Sequence, residues 1–165
     1  MLASPLALAT ARGHVGPRAR RLRLFNLHTH EAFECALEPG EMPARELLKT
    51  FDFFMRDHYC GRVGNMDPSL IEHMMTLTEA LEAPGEMIHV ISAYRAPATN
   101  RMLQERGKKV AQHSLHLTGQ AIDIRMPDVA LRDIRDAALD LRVGGVGYYR
   151  KSNFLHFDTG RIRRW

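Results

Sequence analysis

The sequence predicts an α+β domain, a small and mostly antiparallel sheet flanked by helices. Three observations carry that expectation. Short alternating or apolar runs read as strands, and longer runs with a 3.6-residue apolar period read as helices. Taken in order these runs give β-β-α-α-β-α-β-α-β-β, which favours a mostly antiparallel sheet. The length, 165 residues and 18.8 kDa, is that of one domain. A chain of this size buries about two-thirds of its unfolded surface, enough for a core without staples.

The first strand pair is Leu22, Leu24, Asn26 and Leu27, then residues 32–37. They surround the polar His28-Thr29-His30-Glu31 as a hairpin, and Pro39-Gly40 closes it. Pro43 opens a helix carrying Leu47, Leu48, Phe51, Phe54 and Met55. Asp67-Pro68 starts the next as N-cap and first-turn proline, with Leu70, Ile71, Met74, Met75 and Leu81 along its apolar face. Met74 and Met75 are core fillers. Residues 87–94 read as a buried strand, 97–106 as a short helix ending at Gly107, and 108–119 as a loop. Residues 121–124 are a strand and 128–141 an amphipathic helix with Leu131, Ile134, Ala138 and Leu141 inward. Residues 143–149 and 154–159 close the list as two strands around Arg150-Lys151-Ser152-Asn153.

Composition narrows the class. The chain is 45% apolar and 25% charged with a mean hydropathy of -0.28, ordinary for a globular protein. Its net charge of +4 and pI near 9.4 suit nucleic acid, membrane surfaces or an acidic polymer such as a cell wall. The positive charge comes from 19 Arg and 4 Lys, densest in Arg18-Ala19-Arg20-Arg21 and at 161–164. No aromatic ladder interleaves those runs, which argues against a single-strand nucleic-acid binder. Cys35 and Cys60 lack CxxC spacing, so they are one disulfide or two free thiols. Residues 1–11 are small and apolar and end in Ala9-Thr10-Ala11, the form of a signal-peptide cleavage site. Residues 1–19 are read as the remainder of an export signal and a linker, and 20–165 as one domain. No other apolar run reaches the ~20 residues of a spanning helix, so no transmembrane segment is expected.

Three residues stand out as metal-ligand candidates: His116, Asp123 and His156. The seven-residue step from His116 to Asp123 crosses a glycine-containing loop and suits a loop-held His followed by a strand-borne Asp. His156 and Asp158 lie two apart in a strand and share a face, with Phe157 on the other. Two His and one carboxylate form a catalytic zinc set with a fourth position open. Bound zinc lowers the pKa of water towards ~7 and polarises a carbonyl. His113 could line the same pocket. His28-x-His30 reads as a solvated hairpin turn.

These residues also carry a resemblance. Ser92-Ala93-Tyr94-Arg95, Asn100 and Leu103, the S-x-H-x-x-G-x-A-x-D run at 114–123, Gly144-Gly145-Val146-Gly147-Tyr148-Tyr149, His156-Phe157-Asp158 and Arg164-Trp165 occur in the order found in the zinc D-Ala-D-Ala-type metallopeptidases. This is the LAS group (lysostaphin, D-Ala-D-Ala peptidases, Sonic hedgehog), and the YcbK-like murein endopeptidase branch is the nearest pattern. The resemblance covers about residues 20–165, including Asn26-Leu27-His28-Thr29. It implies the LAS fold and an exported, periplasmic enzyme with one zinc per chain, held by His116, Asp123 and His156. It also implies a monomer acting on peptidoglycan peptides at meso-diaminopimelate links. Arg95 takes the position that holds the scissile carbonyl or a substrate carboxylate, where it would stabilise an oxyanion. Ser114 matches a substrate-contacting position, with a loop-ordering hydroxyl as the other reading. Tyr148 and Tyr149 alternate faces, so one reaches the cleft and the other the core, and Tyr148 is taken as the cleft tyrosine.

The general base departs from the pattern. Relatives place Asp or Glu three residues before the last His, or a His two before it; here those positions are Asn153 and Phe154. Asp158 is the nearest candidate, as base, proton relay or orienting partner of His156, and His113 is the second. The glycines at 144–147 lack a P-loop lysine and are read as a backbone edge for the substrate peptide. Competing readings are a non-catalytic, zinc-containing wall-binding module, a D,D-carboxypeptidase on stem peptides, and a nucleic-acid binder resting on pI alone.

Overall fold

A computed structural model describes residues 19–107 and 110–165. The first eighteen residues of the expected export segment and linker lie outside them. Seven strands form one sheet: β1 (Arg20–Asn26), β2 (Ala32–Leu37), β3 (Met87–Ser92), β4 (Ala121–Arg125), β5 (Gly145–Tyr149), β6 (Phe154–Asp158) and β7 (Arg163–Arg164). Their order is β2-β1-β3-β4-β6-β5-β7. Four helices accompany them: α1 (Arg45–Phe54), α2 (Ser69–Ala80), α3 (Pro97–Glu105) and α4 (Leu131–Leu141). The class is α+β, as expected, and the sheet is mixed. Four of its six pairings are antiparallel, whereas β1–β3 and β5–β7 are parallel. The first parallel pair arises because the α1–α2 crossover returns the chain beside β1. The second arises because the chain after β6 turns back to the free edge of β5.

Period-two alternation divides the sheet into two functional faces. Leu22, Leu24, Ile88, Val90, Ile122, Ile124, Leu155 and Phe157 all point into one core, with α1, α2 and α4 supplying Phe51, Met74, Met75, Leu77 and Ile134. Phe157, fully buried, contributes about 1.5–3 kcal/mol in the manner of such side chains. The opposite face of β4 and β6 carries Asp123, His156 and Asp158.

Local chemistry explains most of the element ends. Helix α2 begins at Ser69 with Pro68 in the cap position, one residue later than expected. Asp67 still acts there: its Oδ1 accepts the Ser69 N–H at 3.0 Å, and its other oxygen accepts the Thr159 hydroxyl at 2.6 Å. The stretch expected to be loop contains a 3-10 turn at Leu115–Thr118. Gly119 ends that turn at φ +71, where a Cβ would also meet the Asn65 carbonyl oxygen at 2.0 Å, so glycine is required twice over. Asn153 sits at φ 52, closing a second 3-10 turn at Arg150–Ser152. A left-handed backbone is a sufficient reason for asparagine at that position. Both cysteines are free: Cys35 is buried and Cys60 exposed. Burial pushes the Cys35 thiol up to about 12.

Candidate metal centre

Asp123 and His156 are register partners on adjacent strands, so the β4–β6 pairing itself sets them side by side. His116 reaches them from the 3-10 turn. A β-bulge after Val90 ends the regular pairing of β3 and swings the chain past that turn. There Ala93 and Arg95 clamp His116 reciprocally. The Arg95 N–H donates to the His116 carbonyl at 3.0 Å, and His116 Nδ1 donates to the Ala93 carbonyl at 2.7 Å. Ser114 caps the turn, accepting the His116 N–H at 3.4 Å.

The tautomers follow from the partners. A carbonyl only accepts, so the His116 proton is on Nδ1 and its Nε2 faces the site. The Asp158 carboxylate only accepts, so His156 Nε2 donates to it at 3.0 Å and Nδ1 faces the site. Three atoms then face one another: His116 Nε2 to His156 Nδ1 at 3.2 Å, His156 Nδ1 to Asp123 Oδ1 at 2.9 Å, and His116 Nε2 to Asp123 Oδ1 at 3.3 Å. Donors around a tetrahedral zinc at about 2.0–2.1 Å stand about 3.3 Å apart. The set fits such an ion, and it is the one His/Cys/Asp/Glu cluster of that density among the described residues. Burial alone would push the Asp123 carboxyl up, but the two imidazoles outweigh it and hold it well below the usual carboxylate range. Burial opposes protonation of His156, and its hydrogen bonds to Asp123 and Asp158 raise it above its ordinary value.

The cluster opens on a cleft of about 710 Å³. Arg95, His113 and Ser114 line it together with the three candidate ligands. Arg95 is 8% exposed, and among the described residues its guanidinium hydrogen-bonds only the neutral oxygens of Asn100 at 3.3 Å and Ser92 at 3.4 Å. Burial lowers its pKa. Asn100 also donates to the Ala111 carbonyl at 3.2 Å, tying Arg95 to the segment that carries His113.

Two expected residues fall elsewhere. Asp158 does not line the cleft. It is completely buried behind His156, and its oxygens accept from His156, the Gly145 and Gly160 N–H groups, and Arg163 at 3.0 and 2.7 Å. Burial would raise its pKa, but these donors hold it far below the carboxylate range. An oxygen so occupied, on the far side of the ring, orients His156 and has no access to a reacting water. Tyr148 lies on the other face of β5, under the Arg135 guanidinium at 4.8 Å, and Tyr149 lines the cleft instead. The signal was present in the sequence: Tyr148 shares parity with the core residue Val146 and pairs with Leu155.

The reading missed Phe154, Arg163 and Trp165, which complete the cleft wall. The Trp165 ring lies 5.2 Å from that of His156, and its Nε1 donates to the Tyr149 hydroxyl at 2.9 Å. A Cβ on Gly147 would strike that ring at 2.6 Å. This glycine therefore makes room for Trp165, and β5 is paired on both sides, so the glycines form no open edge for a peptide.

A His–Asp–His set on a sheet and a loop, with a buried arginine beside it, is the constellation of the LAS-type metallopeptidases. The family model described as peptidoglycan L,D-endopeptidase MepK matches residues 14–165, and the chain belongs to that family. The peptidoglycan L,D-endopeptidase MepK of Escherichia coli (strain K12) is 40% identical over 149 residues, covering 90% of this chain and 81% of the relative. The probable peptidoglycan L,D-endopeptidase MepK of Haemophilus influenzae is 40% identical over 151 residues, covering 90% and 80%. No solved structure matches.

Proposed function

We propose that the chain is a zinc-dependent endopeptidase of the periplasm, built on the LAS fold, that hydrolyses L,D peptide cross-links of peptidoglycan as a monomer. The observation that carries this reading is the convergence of His116 Nε2, Asp123 Oδ1 and His156 Nδ1 within 3.3 Å at a cleft. The relatives, peptidoglycan L,D-endopeptidases by name, supply the substrate class. Zinc, when bound, would supply Lewis acidity towards a carbonyl and bring the pKa of a water near 7.

The chain's own groups supply the rest. Arg95, buried and without an ion-pair partner among the described residues, would donate to the scissile carbonyl oxygen as negative charge develops there. His113 is the imidazole of the cleft outside the metal set, and it is exposed. It takes the general-base position that Asp158 cannot. Asp158 and Arg163 would hold the His156 tautomer. Ser114 and Tyr149 would contact the peptide.

A binding-only wall module is the second reading. It is favoured by one observation: Asp123 is the one Asp or Glu lining the cleft among the described residues. Digestion of purified sacculi, with zinc and then with chelator, separates the two by muropeptide mass spectrometry. Zinc-dependent loss of dimers is expected, and the monomer masses name the bond. Intact dimers beside a zinc-loaded protein would establish the binding module.

A further inference from the structure

Arg95 also lines a second cavity, of about 130 Å³, whose walls include His28, Asp57, His58 and Ser92. His58 stacks on His28 there, ring centroids 3.9 Å apart and 5° from parallel. Asp57 is the one Asp or Glu of this side pocket among the described residues, and it does not line the metal cleft. It is 1% exposed. Burial would raise its carboxyl, but the Thr99 hydroxyl and the Ala96 and Tyr59 N–H groups outweigh it and hold the group below its ordinary value, so it is ionised at neutral pH. A carboxylate taken out of water is tolerated only where its oxygens are matched in this way.

Those partners connect Asp57 to Arg95 through the backbone. Asp57 Oδ2 accepts the N–H of Ala96, the residue after Arg95, at 2.8 Å. The Ala96 carbonyl accepts the Asn100 N–H at 3.0 Å, the first-turn bond of α3. Asn100 Oδ1 in turn accepts from Arg95 Nη1 at 3.3 Å. The path thus leads from Asp57 through one peptide and one helical turn to the guanidinium. Ala96 caps α3 with no side-chain bond of its own, so Asp57 supplies from 39 positions away the carboxylate that a helix N-terminus prefers. Asp57 is itself fixed: its Oδ1 accepts the Tyr59 N–H at 2.8 Å, and its N–H donates to the Arg62 carbonyl at 2.9 Å. The same loop holds the other side of Arg95, because the Tyr94 N–H donates to the Met55 carbonyl at 3.0 Å. Among the described residues the Arg95 guanidinium forms no ion pair, yet the charges interact: burial disfavours the cation, and Asp123 and then Asp57 support it. A direct ion pair would occupy donors that Arg95 otherwise presents to the cleft.

We propose that Asp57 is a positioning residue: from outside the cleft, it fixes the direction in which Arg95 presents its guanidinium there, through Ala96 and the first turn of α3. The inference rests on the role of Arg95 proposed above, and its two arms below, one spectroscopic and one kinetic, separate a failure of the positioning from a failure of that role.

The first arm is nitrogen-15 NMR of the zinc-loaded full chain labelled on arginine, with the Arg95 signals assigned by their loss in Arg95→Ala. Wild type is expected to show separate Nη–H signals of a restrained Arg95 guanidinium. In Asp57→Asn, where one carboxylate oxygen becomes a donor facing an N–H group, they should collapse to the averaged signal of a freely rotating one. Thr99→Val removes one donor to Asp57 and should act in the same direction, which keeps the test decisive where Asp57→Asn does not fold. The second arm is cleavage of an L,D-linked muropeptide dimer. Asp57→Asn should keep its zinc and its KM while kcat falls about tenfold or more, since a misplacement of about 1 Å can cost about 10²-fold. The Asp57→Asn, Arg95→Ala double variant should cleave no more slowly than Arg95→Ala alone, because Asp57 acts through Arg95. A merely structural Asp57 would lower Tm and give losses that add. Unchanged Arg95 signals in both variants, or additive losses of kcat, would overturn the positioning role. Absence of cleavage by wild type, with the signals collapsing as expected in Asp57→Asn, would overturn the enzymatic reading and leave the positioning of Arg95 standing.

Discussion

Two pairs of histidines flank Arg95, and they are built differently. His116 and His156 meet edge to face, centroids 5.0 Å apart and planes at 69°, with each outward nitrogen tied to an acceptor and a carboxylate between the inward ones. His28 and His58 lie flat on each other at 3.9 Å, with no acceptor fixing either ring among the described residues. The first arrangement directs lone pairs to one place, and the second presents two faces and loose N–H donors. Residue type alone does not separate ligands from walls. The hydrogen bond on the far side of each ring does.

The largest effect is expected from breaking the first pair. His116→Ala or His156→Ala should abolish zinc retention and reduce dimer cleavage to background, read by elemental analysis and muropeptide chromatography. Arg95→Ala comes next. It should retain zinc while kcat falls about 10²–10³-fold, as when an oxyanion donor is removed. Asp158→Asn and Arg163→Ala should follow, each weakening zinc affinity about 10–100-fold in a chelator competition, because Asp158 orients His156 and Arg163 holds Asp158. The corresponding change in the second pair, His58→Gln, should leave zinc affinity alone.

The smallest effect is a pH dependence confined to the second pair. The folded state holds His58 near 4 against an ordinary 6.5, so the unfolded chain binds this proton first. The His58 contribution to stability is therefore complete above about 6.5 and is lost as pH falls towards about 4. Thermal unfolding across that window should show a steeper fall in Tm for wild type than for His58→Gln. Equal slopes would remove His58 from the account of the pocket.

The legible part of this molecule is what short-range periodicity and a compact motif can carry. His116, Asp123 and His156 were readable because the S-x-H-x-x-G-x-A-x-D run and the H-x-D strand each hold their residues in one short segment. Alternation also placed Asp158 beside His156. It could not show that Gly145, Gly160 and Arg163 close over Asp158, because those partners come from β5, from the turn after β6 and from β7. The same holds for His58, which reaches His28 from the segment after α1, thirty positions along. Arg163 sat in the basic run at 161–164, singled out only for its charge, and the parallel β5–β7 pairing sets it beside Gly145. Tyr148 was a parity error that Val146 could have corrected.

The most direct measurement of the central claim is a zinc titration of chelator-stripped protein against a defined L,D-linked muropeptide dimer, with monomer release followed by mass spectrometry. The expected result is release that rises linearly to one equivalent of zinc and then levels, with no release from His116→Ala at any zinc concentration. Undiminished release from the stripped protein, or one bound zinc with intact dimers, would contradict it.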